Sequence, residues 1–266
     1  MEKINQIISD YLKREEGILY SIISNENYIK DKILEFIKSP TKRIRTVFTV
    51  LYLKSQGAEI SDNVFNIITA GELIHNASLL HDDVVDDAES RRNKTSFAKE
   101  ISPKMSIIAG DLLVSKAVEL IINENCNEIS RFFINCTKQM SEAEILQYTY
   151  KGKTPNLGTY LDICKGKTSS LFIAILKSAA KLSKLDVNIA EEFATIFGLV
   201  FQIKNDLEPE SAYNDKANEI VTVLDIIGLE KTNVLIDNYK EKMRSIIKDF
   251  PDNKYSKGLN NLINLL

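Results

Sequence analysis

Apolar residues recur at three- and four-residue intervals along nearly the whole chain. Between residues 4 and 37 they fall at Ile4, Ile7, Ile8, Tyr11 and Leu12, then Ile18, Leu19, Ile22 and Ile23, then Ile29, Ile33, Leu34 and Ile37. That spacing gathers them on one face of successive α-helices and predicts two or three amphipathic helices. The same period predicts helical blocks at 44–56, 62–87, 106–122, 128–150, 157–181 and 188–207, and a more polar helical tail over 216–266. Block 62–87 is apolar on most sides, along Ile67, Ile68, Leu73, Ile74, Leu79, Leu80, Val84 and Val85, as a central buried helix must be. Pro40, Pro103, Pro155, Pro209 and Pro251 are natural cut points, because proline lacks the helical donor and disfavours helix at the residue before it. No alternating strand pattern, repeat or low-complexity linker interrupts the series. The expectation is an all-α fold in a single domain spanning residues 1–266.

Composition agrees. The 266 residues include ten glycines and five prolines, about half the usual share. A net charge of −3 provides no field of one sign to steer nucleic acid, so no nucleic-acid partner is expected and any anion site must be local. The three cysteines form no CxxC and suit a reducing, cytoplasmic setting as small buried hydrophobes. Charge within two residues of Met1, and no run of about 18 apolar residues, predict neither a signal peptide nor a transmembrane segment.

The chemistry concentrates at the end of the apolar block. In Leu79-Leu80-His81-Asp82-Asp83-Val84-Val85-Asp86-Asp87, the pairs Asp82/Asp86 and Asp83/Asp87 share helix faces, and like charges at that spacing repel. The cluster therefore needs a cation or a solvated face. Oxygen-only ligands favour Mg2+, which typically combines one or two carboxylates with substrate phosphates. Arg91, Arg92 and Lys94 follow closely, and arginines fork onto phosphate oxygens. A surface salt-bridge loop remains the plainer alternative for this segment taken alone.

His75 through Asp86, followed by Arg91-Arg92, resembles the first aspartate-rich motif (DDxxD, then RR) of the trans-type polyprenyl diphosphate synthases. Five further segments fall in that family's order. Lys42-Arg43-Ile44-Arg45 resembles GGKRIRP, with Pro40 and Thr41 in place of the two glycines. Ala109 to Leu113 resembles GDYL, Glu144 to Gln147 the glutamine-bearing helix, and Gly166-Lys167-Thr168 the segment with the KT pair. Phe201-Gln202-Ile203-Lys204-Asn205-Asp206 resembles the start of FQxxDDxxD. Gly166-Lys167-Thr168 is no nucleotide P-loop, since Leu161 stands where that motif needs glycine.

The resemblance implies an isoprenoid-synthase helical bundle around a central cavity, usually a homodimer, that condenses isopentenyl diphosphate with an allylic diphosphate such as farnesyl or geranylgeranyl diphosphate. It implies Mg2+ on Asp82 and Asp86, supported by Asp83 and Asp87, with Asn205 and Asp206 as the remains of the second metal motif. Lys167, Thr168, Gln202 and Arg91 would meet the leaving diphosphate. Lys42, Arg45, His75 and Arg92 would hold isopentenyl diphosphate, and Lys216 is a late-lysine candidate. Asn205 and Pro209, replacing two of the second motif's aspartates, leave a non-catalytic or regulatory subunit of a heteromeric synthase as the alternative. Small residues before the first motif, Ala70, Gly71, Ala77 and Ser78, imply a deep groove and a product longer than farnesyl.

Overall fold

The computed structural model describes residues 1–22, 28–39, 41–92, 94–124, 126–208 and 219–266. Pro40, Pro209 and Lys216 lie outside the described residues. Almost every predicted block is a helix, and the chain forms two compact units. One comprises residues 1–50 and 60–127, the other residues 51–59 and 128–266.

The first unit contains α1 (Glu2–Ile7), α2 (Ser9–Ile22), α3 (Tyr28–Lys38), the first half of α4 (Ile44–Ser55), α5 (Asp62–Val85), a two-strand ribbon of β1 (Ser90–Arg91) and β2 (Lys94–Thr95), α6 (Phe97–Glu100) and α7 (Pro103–Asn123). Among the described residues, the ribbon is the one departure from an all-helical reading. It pairs only Ser90 with Thr95 and Arg91 with Lys94, too short a ladder to show an alternating pattern. Ser61 caps α5 by accepting from the Val64 N–H, and Ser102 caps α7 ahead of Pro103, satisfying amides that would otherwise lack partners. α5 packs most extensively on α7, and the Ser106 hydroxyl donates to the Leu80 carbonyl at 2.7 Å. Phe65, Ile67, Ile68, Leu73 and Leu80 are at most 1 % exposed, each contributing about 1.5–3 kcal/mol by burial.

The second unit holds the end of α4, α8 (Asn127–Thr149), α9 (Leu157–Cys164), a π-helical turn over Lys165–Ser169, α10 (Ser170–Leu182), α11 (Val187–Asp206), α12 (Val223–Ile247, interrupted at Gly228) and α13 (Lys254–Leu265). The Asp186 side chain accepts from both Asn188 and Ile189 amides to start α11, and Asn253 starts α13 in the same way. Phe172 meets Phe197 edge-on at 5.2 Å, and Tyr52 packs on Phe193 at 5.2 Å. Cys136 and Cys164 are buried as expected, whereas Cys126 is half-buried. No helix among the described residues is long and apolar enough to cross a membrane.

Candidate active site

The acidic cluster sits where α5 ends, and its four carboxylates meet four different fates. Helical geometry persists to Val85, and the Asp86 N–H still closes a turn onto the Asp82 carbonyl at 2.8 Å. Asp82 and Asp86 therefore occupy successive turns, the first half-buried and the second exposed. Asp87 departs from the sequence expectation: its backbone is left-handed (φ 48), which takes it out of the helix and away from Asp83. Asp87 instead meets Lys99 Nζ at 3.0 Å, beside Glu89 at 2.9 Å. Asp83 is sealed and accepts from Arg91 Nε at 2.7 Å. Burial pushes its pKa up, and the Arg91 charge opposes that rise.

Between residues 67 and 80, only His75, Ser78 and Leu79 are not fully buried. With Asp82 they form a single part-open line down one side of a core helix, as i, i+3, i+4 and i+7 positions do. Ala70, Gly71 and Ala77 are buried off that line. The imidazole of His75 is held well below its ordinary pKa by burial and by the surrounding cations Arg45, Arg92, Arg91 and Arg43. It stays neutral at pH 7, with one nitrogen to donate and one to accept.

The arginines are themselves fixed. Arg92 (φ 54) donates to the Phe36 carbonyl at 3.2 Å, reaches Asn76 Oδ1 at 3.5 Å and lies over the Phe36 ring. Lys42 is exposed, and Arg45 is buried. His81, next to the acidic run, turns away from it: Nε2 lies 3.2 Å from the Ile107 carbonyl and 3.5 Å from Asp111 Oδ1. A Cβ on Gly110 would overlap that ring, so the glycine of Gly110-Asp111 serves the close approach of α7 to His81.

In the second unit the candidate donors form a chain of hydrogen bonds. Lys167 Nζ, in the π-helical turn, donates to Gln147 Oε1 at 2.7 Å and pairs with Glu144 at 2.6 Å. Thr168 Oγ1 donates to Gln202 Oε1 at 2.7 Å, Gln202 Nε2 to Asp206 Oδ1 at 2.8 Å, and Tyr160 Oη to Asp206 Oδ2 at 2.6 Å. Asp206 is 4 % exposed. Burial raises its pKa against the opposing bonds from Tyr160 and Gln202. Asn205 is half-buried at the last turn of α11. A Cβ on Gly198, one turn before Gln202, would come within 2.5 Å of Ser169. Its absence lets α11 press against the π turn, a form of helix often found at functional sites. Asp225 accepts from the Thr222 N–H and hydroxyl at the head of α12; it is a helix cap.

Sequence reasoning passed over Tyr160, Glu72, Asn76 and Glu15. None carries a local signature, because each acts by being brought against a residue far along the chain.

The sequence profile of the polyprenyl synthetase family matches residues 26–254. The chain belongs to the polyprenyl synthetase family. Among curated relatives of this family, a decaprenyl-diphosphate synthase of Dictyostelium discoideum is 30 % identical over 197 residues, covering 73 % of this chain and 43 % of that protein. The chain spans 43–64 % of the lengths of four such relatives. Solved structures agree on the isoprenoid-synthase fold. A decaprenyl diphosphate synthase from Rhodobacter capsulatus aligns with a TM-score of 0.92 at 20 % identity, covering 99 % of this chain and 97 % of that one. A polyprenyl synthase from Caulobacter crescentus CB15, solved with calcium and isoprenyl diphosphate, aligns at 0.84 and 22 % identity, covering 99 % and 96 %.

Proposed function

We propose that this chain condenses isopentenyl diphosphate with an allylic diphosphate to make a longer polyprenyl diphosphate, as a homodimer. The observation that carries the reading is the part-open line of His75, Ser78, Leu79 and Asp82 on an otherwise buried helix, with guanidiniums gathered around His75 at one end and Asp82 with Asp86 at the other. The family match runs through both compact units, which supports treating residues 1–266 as one functional domain.

Asp82 and Asp86 fit a divalent cation. Both offer hard oxygens one helical turn apart, the first half-buried and the second exposed. Among the described residues no three acidic, histidine or cysteine side chains gather to hold a metal by themselves, and Mg2+ ordinarily completes its shell with water and substrate phosphates. When bound there, Mg2+ supplies charge that stabilises the departing diphosphate. Asn205 offers a weaker amide oxygen to a further ion. Asp206 fits that role poorly, since it is 4 % exposed and already accepts from Tyr160 and Gln202; we assign it to holding Gln202.

Arg91, Lys167, Thr168 and Gln202 are assigned to the allylic diphosphate. Lys42, Arg45, His75 and Arg92 are assigned to isopentenyl diphosphate, where the neutral His75 adds a hydrogen bond without adding repulsion among the arginines. Ionisation breaks the allylic C–O bond. The isopentenyl double bond then attacks the allylic carbon, and the C–H proton that leaves the resulting cation passes to the released diphosphate. Ser78 and Leu79 line the way along which the product chain grows, and the small Ser78 leaves room for a product beyond farnesyl length.

Apolar side chains exposed on α8 (Ile134, Ile145, Tyr148) and on α7 (Ile108, Val118, Ile122) support the homodimer, since apolar surface of this kind marks association faces. Three cysteines that form no disulfide support a reducing, cytoplasmic setting. The deciding experiment incubates the purified chain with Mg2+, labelled isopentenyl diphosphate and farnesyl or geranylgeranyl diphosphate. Labelled product longer than the primer, lost on chelation, is expected; no elongation by the chain alone overturns the reading.

A further inference from the structure

Beside the cationic pocket lies a buried charge cluster that the proposed reaction does not use. Arg43 is 9 % exposed, Glu15 of α2 is wholly buried and Glu72 of α5 is 3 % exposed. Arg43 Nη1 stands 3.5 Å from Glu15 and 4.0 Å from Glu72, while Nη2 is 4.0 Å from Glu16. Thr46 Oγ1 donates to Glu72 Oε1 at 3.4 Å. Arg43 also holds a left-handed backbone, φ 45, with no glycine to ease it. Such a conformation is uncommon for a residue with a side chain and persists only where surroundings impose it.

Lys42 precedes this residue and Arg45 follows two positions later, at the head of α4. Glu72 lies one helical turn before His75 on α5, and the Arg43 charge reaches His75. The guanidinium of Arg43 is thus pinned by carboxylates from two helices. The segment 42–45 is anchored through its second residue, with Lys42 exposed before it and Arg45 buried after it.

We infer that Glu15 and Glu72 are positioning residues, acting through Arg43 to fix the backbone that presents Lys42 and Arg45 to a diphosphate. The inference rests on the assignment of Lys42 and Arg45 to isopentenyl diphosphate and adds what holds them there. Two carboxylates around one guanidinium leave one negative charge in excess, in a place closed to water. Burial first, then Glu72, push the Glu15 pKa up to about 8, so Glu15 carries a proton at neutral pH and the cluster is balanced. The groups facing Glu15 are Glu72 from α5, Arg43 from the segment before α4, and Glu16 and Tyr20 from α2.

The test is calorimetric binding of isopentenyl diphosphate to the full chain, which needs no turnover. Arg43→Met and Glu15→Ala are expected to weaken binding about tenfold, and Glu15→Gln to recover most of the loss, because the amide mimics the protonated acid. Wild-type affinity should fall above pH 8 while that of Glu15→Gln stays level. Circular dichroism confirms that each variant is folded, and Glu72→Gln supplies a second, milder lesion at the same guanidinium. If Lys42→Ala and Arg45→Ala abolish binding while Arg43→Met and both Glu15 variants bind as wild type, the positioning role is overturned and the site stands. If Lys42→Ala and Arg45→Ala bind normally, the site assignment itself fails.

Discussion

Tyr160 Oη donates to Asp206 Oδ2 at 2.6 Å, joining α9 to the last residue of α11 inside the second unit. The other carboxylate oxygen holds the Gln202 amide, whose carbonyl in turn receives Thr168. An aspartate in a metal-motif position is here the middle of a buried relay. Asp206→Asn should therefore leave the number of tightly bound Mn2+ ions per chain unchanged by electron paramagnetic resonance, while raising KM for the allylic diphosphate. Tyr160→Phe should lower stability by about 1–3 kcal/mol, since it strands a buried acceptor. A lost Mn2+ ion in Asp206→Asn would restore that residue to the metal.

Asp82→Ala removes an oxygen at the open end of α5 without disturbing its core. Turnover should fall by about 10²–10³-fold or more, with the helical circular dichroism spectrum intact. Near-wild-type activity would sink the metal assignment.

Ser78 and Ala77 are neighbours with opposite expected responses to enlargement. Ser78 lies on the part-open line, whereas Ala77 is 1 % exposed within packed helices. Ser78→Phe is expected to shorten the product in chromatographic profiles of labelled chains. Ala77→Phe is expected to lower stability by about 1–3 kcal/mol through overpacking. An unchanged length distribution in Ser78→Phe shows that the product does not run along this line.

The raised pKa of Glu15 has a definite sign in stability. Its folded value, about 8, exceeds the ordinary 4.5, so the folded state binds the proton more tightly. That contribution is fully present below pH 4.5 and is lost as the pH rises to about 8. Thermal melts of Glu15→Gln and wild type should therefore diverge across this window, with the variant gaining relative to wild type toward pH 8. Parallel melting curves over pH 5–8.5 would contradict it.

Gly110→Ala places a methyl group into the His81 ring. A stability loss of about 1–3 kcal/mol is expected, read from denaturant midpoints, with no loss in Gly57→Ser controls beyond the cost of that residue's positive φ.

The sequence made most of the helices legible because burial on one face leaves a period of 3.6. Where that period continued but the structure turned, other forces decided. Block 157–181 reads as one helix, yet a π turn at 165–169 widens it, with Gly198 of α11 packed close against Ser169. The run ending at Asp87 reads as helix throughout, yet Asp87 leaves it with a left-handed backbone and pairs with Lys99. Residues such as Asp82, Lys167 and Gln202 were legible by motif. Glu15 and Tyr160 were not, because a buried acid or phenol looks like any other until its distant partner arrives.

Lys167 is already satisfied, by Glu144 at 2.6 Å and Gln147 at 2.7 Å. Under the proposed assignment, a diphosphate meeting this lysine competes with a carboxylate and an amide for the three N–H donors of one ammonium. Binding then includes an exchange of partners, and the carboxylate of Glu144 stays within reach of the ammonium when the anion leaves.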